Sequence, residues 1–92
     1  MKSIMQDEKE CYLSKSTKRL EIHHIFFGAG RRELSEKYGL KVWLRYDWHN
    51  LPPNGAHFNQ ETRRRLEQDG QRAFQEHYPD LDFMQIFGKN YL

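Results

Sequence analysis

The stretch Leu20-Glu21-Ile22-His23-His24-Ile25-Phe26 decides how the rest of the chain reads. Its β-branched and aliphatic residues favour an extended backbone, in which neighbouring side chains point to opposite faces. Leu20, Ile22 and His24 then share one face, and Glu21, His23 and Ile25 share the other. The two adjacent imidazoles therefore look in opposite directions. A tandem of this kind is costly to bury unless something uses it.

Upstream, Cys11-Tyr12-Leu13 is a second β-prone run, and the polar residues 14–19 between the two read as the loop of a hairpin. Residues 1–10 offer only Ile4 and Met5 for burial, so they are expected to fray or to form a short helical turn. Downstream, Gly28-Ala29-Gly30 ends the strand, and residues 31–38 have the pattern of a short helix closed by Gly39. A strand over residues 40–44 follows. The span from Asp47 to Ala56 reads as irregular, because Pro52-Pro53 and Asn54-Gly55 are turn signals. Asn59 is the expected N-cap of a long helix over residues 60–78, with Leu66, Ala73, Phe74 and Tyr78 at helical spacing. Gly70 on that stripe costs the helix about 1 kcal/mol relative to Ala, which points to a second backbone passing close by. A last short helix is expected over residues 81–87, capped by Pro79-Asp80, stopped by Gly88 and packed on the long one as a lid. The pattern is α+β, in one domain spanning residues 1–92.

Leu, Ile, Val and Phe make up only 20 of the 92 residues, so the core must lean on aromatic rings, of which six are Phe, five Tyr and two Trp. A mean hydropathy of −1.01 and the lack of a long apolar run exclude a membrane-spanning helix, and the charged start lacks the apolar region of a secretory signal. A cytoplasmic protein is expected. The lone Cys11 excludes an internal disulfide and any zinc site needing more than one thiolate. The formal charge of +2 hides an asymmetry: from Lys15 to Arg45, eight Lys or Arg face three Glu, a local charge of +5 that leaves −3 for the rest. With Arg63-Arg64-Arg65, this is the footprint of a phosphate-facing surface.

Four of the five histidines, His23, His24, His49 and His57, fall at strand ends or loop edges, where separate segments can bring imidazoles together on one divalent cation. His77 lies near the C-terminus of the long helix, where the dipole favours a partly positive ring, and reads as structural.

The run Glu21-Ile22-His23-His24-Ile25-Phe26, a glycine-containing loop, a strand ending in Trp43-Leu44, then Asp47-Trp48-His49-Asn50 and Gly55-Ala56-His57-Phe58-Asn59, resembles HNH endonucleases of the ββα-metal fold. More narrowly, it is similar to small HNH-type proteins of bacteriophages and prophages, over roughly Cys11 to Leu92. The resemblance implies a metal-dependent DNA endonuclease linked to phage DNA processing or recombination, with a β-hairpin and helix as its core. It implies metal ligands at His23, His49 and His57 and a general base at His24. Asn50 would be the positioning asparagine, with Asn54 as the alternative. Arg31, Arg32, Lys37 and Lys41 would hold the flanking phosphates of DNA. Three imidazoles suit Zn, Ni, Mn or Co better than Mg, which prefers oxygen ligands.

Two departures from that pattern stand out. Ser14 replaces the second thiol of a C-x2-C pair begun by Cys11, and Trp48 takes a position where relatives carry a histidine. A catalytically inactive nucleic-acid-binding or packaging accessory on the same scaffold is the rival expectation, and a protein-docking module built on Phe83, Phe87 and Tyr91 is a third.

Overall fold

The computed structural model describes all residues from Met1 to Leu92. Strand β1 (Leu20–His24) pairs antiparallel with β2 (Lys41–Arg45), with Leu20 opposite Arg45 and His24 opposite Lys41. The hairpin partner of β1 is therefore the strand expected at residues 40–44, not Cys11-Tyr12-Leu13. That earlier run forms a turn, held by the bond from Lys15 N–H to Cys11 O, and its Tyr12 N–H donates to Trp43 O along the far edge of β2.

The two strands are joined through helix α1 (Arg31–Tyr38). Gly39, at φ 73°, closes α1, and a side chain there would strike the Lys2 carbonyl at 2.5 Å. Buried Ser35 ties α1 to the end of β1: its hydroxyl donates to Phe26 O and accepts from Phe26 N–H. The next helix, α2 (Tyr46–Asn50), begins directly after β2, inside the segment expected to be irregular. Asp47 in its first turn suits the helix dipole and is gripped by Arg45 at 2.6 and 2.7 Å, which holds its carboxyl down at about 2.

The long helix α3 (Gln60–His77) starts as expected on Asn59, whose side chain accepts from Thr62 N–H. Gly70 does mark a close approach, but to a side chain: a Cβ there would lie 2.9 Å from Ile25 Cγ2. The last helix, α4 (Phe83–Phe87), is shorter than expected and is capped by Asp82 in place of Pro79-Asp80. Leu81 is spent in a turn onto Tyr78 O, and the Asp82 carboxylate supplies the acceptor for Gln85 N–H.

The sheet's inner face and α3 meet in the core. Ile25, Leu40, Val42 and Leu44 pack with Leu66 and Phe74 of α3, and with Phe26, Phe83 and Phe87. Gln71, also buried, donates to Asn90 Oδ1 and accepts from Tyr91 N–H, which pins the C-terminal residues to α3. Residues 1–10 are not frayed: Ile4 N–H donates to Gly39 O, the Ser3 hydroxyl to Lys41 O, and Gln6 accepts from Trp43 N–H. The unused edge of β2 gives these polar residues partners that the composition could not reveal. No helix is long and apolar enough to cross a membrane.

Candidate metal centre

Because β1 alternates, His23 faces inward with Glu21 and Ile25, while His24 faces the other way. The His23 ring is 1% exposed, and its Nε2 has no hydrogen-bond partner. An unpaired buried nitrogen is disfavoured unless a ligand satisfies it. What it faces is two further imidazoles, since the ligand atoms of His23, His49 and His57 all lie within 4.8 Å of one another.

The other two rings are placed by α2 and the turn that follows. His49 lies in the last turn of α2, and its Nδ1 lies 2.8 Å from Glu21 Oε1. A carboxylate only accepts, so Nδ1 carries a proton, and in the neutral ring Nε2 keeps its lone pair. Asn50 donates to the same Glu21 oxygen at 2.8 Å, holding the carboxylate from a second side. His57 is brought back by bonds from Ala56 N–H to Trp48 O and from His57 N–H to His49 O. Gly55 closes that turn on Leu51 O, and Ala56 is fully buried beneath it. As a result His57 Nε2 stands 3.2 Å from His49 Nε2. Two nitrogens on one tetrahedral ion at ~2.0–2.1 Å would stand about 3.3 Å apart, so the spacing suits a shared cation.

The electrostatics agree with the geometry. Burial first, then the neighbouring imidazoles, push the His23 proton affinity down to about 3. Burial, then His49 and the Arg63 guanidinium, lower that of His57. These two rings are neutral at pH 7, the form a metal requires. The donor set therefore fits a divalent ion of the nitrogen-preferring kind.

His24 has a different environment. Its Nε2 lies 2.9 Å from Glu36 Oε1, and Glu36 also takes Lys41 Nζ at 2.8 Å. The His24 bond, then Lys41, hold the Glu36 carboxyl well below the usual carboxylate range. When the neutral ring donates through Nε2, Nδ1 is left as its bare acceptor. The His24 ring nevertheless borders the same cavity, about 260 Å³, as the three inward imidazoles, together with Ile22, Phe27 and Arg32.

The expected site thus comes together in part. His23, His49 and His57 converge, Asn50 braces His49 through Glu21, and His24 borders their cavity. Of the four expected phosphate contacts, Arg32 lines the cavity, whereas Lys41 is held in the ion pair with Glu36. Lys37 lies over the Tyr38 ring on α1, and Arg31 opens that helix. Cys11 is a buried apolar residue whose sulfur accepts from Ser14 N–H. His77 packs on Tyr78, and Trp48 on the core.

Sequence reading missed Glu21, Glu36 and Phe27, and placed Arg63 in a basic run without linking it to His57. Glu21 had a signal, since it shares a strand face with His23 two positions on. Glu36 had none, because its partners come from two strands and the Met1 amine. A larger groove of about 720 Å³, between residues 1–7 and Trp43 on the outer face, gathers no comparable set of ligands. The known protein families, characterised proteins and solved structures give no match to this chain.

Proposed function

We propose that this protein is a metal-dependent DNA endonuclease of the HNH class, with β1, β2 and α3 as its ββα-metal core, encoded by a phage or prophage and used in DNA processing or recombination. The observation that carries this reading is the unpartnered, buried His23 Nε2 facing His49 and His57, beside a second histidine of the same strand. His23, His49 and His57 would hold the ion. A divalent ion bound there supplies Lewis-acid stabilisation of the charge that develops on a phosphodiester.

The remaining work belongs to the chain's own residues. Glu21 and Asn50 fix the His49 tautomer. His24, oriented by Glu36 through Nε2, takes the proton of the attacking water at Nδ1. Arg32 holds a phosphate oxygen at the cavity mouth. A supercoiled plasmid is the test, with chelator-stripped protein and Mg, Mn, Ni, Co or Zn added singly. Metal-dependent nicking that disappears in His24→Ala, while metal binding persists, is expected. His57→Ala should instead weaken metal binding.

A second reading, the non-catalytic nucleic-acid-binding accessory, has one observation in its favour: His24 Nε2 is tied by a hydrogen bond to Glu36, a carboxylate that also holds Lys41. Binding of metal and DNA without cleavage by any metal would make it the better account.

A further inference from the structure

Phe26 and Phe27 are adjacent in sequence and have opposite fates. Phe26 is 2% exposed and packs on Phe83, Phe87 and Tyr91. Phe27 is 37% exposed, is no part of that core, and stands against the imidazoles, 4.9 Å from the His57 ring and 5.9 Å from His23. It lines the cavity beside Arg32 and the half-exposed Ile22. The rim of the histidine cluster is thus partly aromatic, with a guanidinium set into it.

An intact duplex gives such a rim little to bind. Its base faces are already stacked on one another, and a nuclease working on it meets sugars and phosphates, which favour cations over phenyl rings. An unpaired base offers an open π-face, and aromatic rings interleaved with cations are how single strands are held. We infer that the histidine cavity takes a polynucleotide whose base beside the reacting phosphate is unpaired, single-stranded or locally opened, with Phe27 as the stacking platform and Arg32 on the flanking phosphate.

This rests on the nuclease reading and narrows its substrate class. Binding is measured first, by fluorescence anisotropy in chelator so that nothing is cut, using one labelled oligonucleotide as a single strand and the same sequence as a blunt duplex. Wild-type protein should bind the single strand more tightly. Phe27→Ala should weaken that binding roughly 5- to 150-fold, the loss of one stacked base, and leave duplex binding nearly unchanged. Phe27→Tyr, which keeps the ring, should retain the preference and shows that the cavity has not collapsed. Equal or better duplex binding, equal losses on both probes in Phe27→Ala, or no binding to either overturns the inference. Cleavage of the same two probes with metal then separates the claims. Equal cutting of both overturns only the substrate preference, whereas failure to cut either with any metal, despite single-strand binding that depends on Phe27, counts against the nuclease and leaves the strand site standing.

Discussion

Two groups of rings in this molecule share nearly the same spacing and do opposite things. In the core, Phe26, Phe74, Phe83 and Phe87 lie with centroids 4.6–5.9 Å apart. In the site, His23, His49 and His57 lie 4.9–5.2 Å apart. Ring packing by itself therefore does not separate structure from function. What separates them is the nitrogens. The phenyl group leaves no polar atom unsatisfied, while the imidazole group leaves His23 Nε2 buried and unpaired and loses its neutrality if protonated. One cluster stabilises the fold, and the other leaves a buried nitrogen unpaired where three imidazoles stand close enough to hold a cation.

The largest effect that tests this contrast is on stability. Phe74→Ala removes a fully buried ring at the centre of the aromatic group and should cost about 3–5 kcal/mol, read from the urea midpoint. His23→Leu, an equally buried site, should leave the metal-free protein as stable or more so, because it removes an unsatisfied nitrogen. A loss at His23 as large as that at Phe74 would break the comparison, since the imidazoles would then be ordinary core.

Acid should divide the two clusters next. The His23 proton affinity lies below its unfolded value of about 6.5, so the unfolded chain binds a proton that the folded chain refuses. Stability of the metal-free protein is thus complete above pH 6.5 and declines as pH falls toward 3, by an amount on the order of a few kcal/mol. Below about pH 4.5 the slope steepens, as Glu36, whose carboxyl is held low by His24 and Lys41, begins to be protonated in the unfolded chain. In His23→Leu the decline between pH 6.5 and 4.5 should shrink to the smaller part due to His57. An unchanged acid profile in that variant would place the sensitivity elsewhere.

A smaller effect concerns metal affinity alone. Glu21→Gln keeps the shape of the side chain but allows the amide to present either an oxygen or a nitrogen to His49, which loosens the tautomer. Affinity for Zn, measured by competition with a chromophoric chelator, should fall about 10–100-fold, with stability of the metal-free protein little altered. Unchanged affinity would mean that Glu21 is only a surface partner of His49.

How much of this was legible in the sequence follows from how local each cause is. α1 and the start of α3 were readable, because Gly39 and Asn59 act within a turn of themselves. The three converging histidines were readable by type and motif. The pairing of β1 was not, since Cys11-Tyr12-Leu13 and the run at residues 40–44 are equally β-prone, and the choice is made by Ser35 locking α1 beneath β1 and returning the chain to its edge. α2 was hidden by the turn signals after it. Glu36 draws its two strand partners, His24 and Lys41, from opposite positions in the sheet register, so no reading could find it before the pairing was known.

The smallest predicted effect lies where the two regions join. Asn59 caps α3 by accepting from Thr62 N–H, and its amide donates to Pro53 O at 3.0 Å, so one side chain serves both the helix that carries Phe74 and the turn that carries His57. Asn59→Ala removes both bonds and should cost about 1 kcal/mol of stability. Asn59→Asp separates them: a carboxylate still accepts from Thr62 N–H, and suits the helix N-terminus, but has nothing to donate to Pro53. Stability should then stay within a few tenths of a kcal/mol of wild type, while Zn affinity falls because the turn between His49 and His57 keeps only the Arg63 bond to Ala56 O as its side-chain tie to α3. Equal loss of stability in the Asp and Ala variants, with Zn affinity unchanged in both, would mean that the helix and the metal site are held independently and that the cluster owes its spacing to the hydrogen bonds of its own turn.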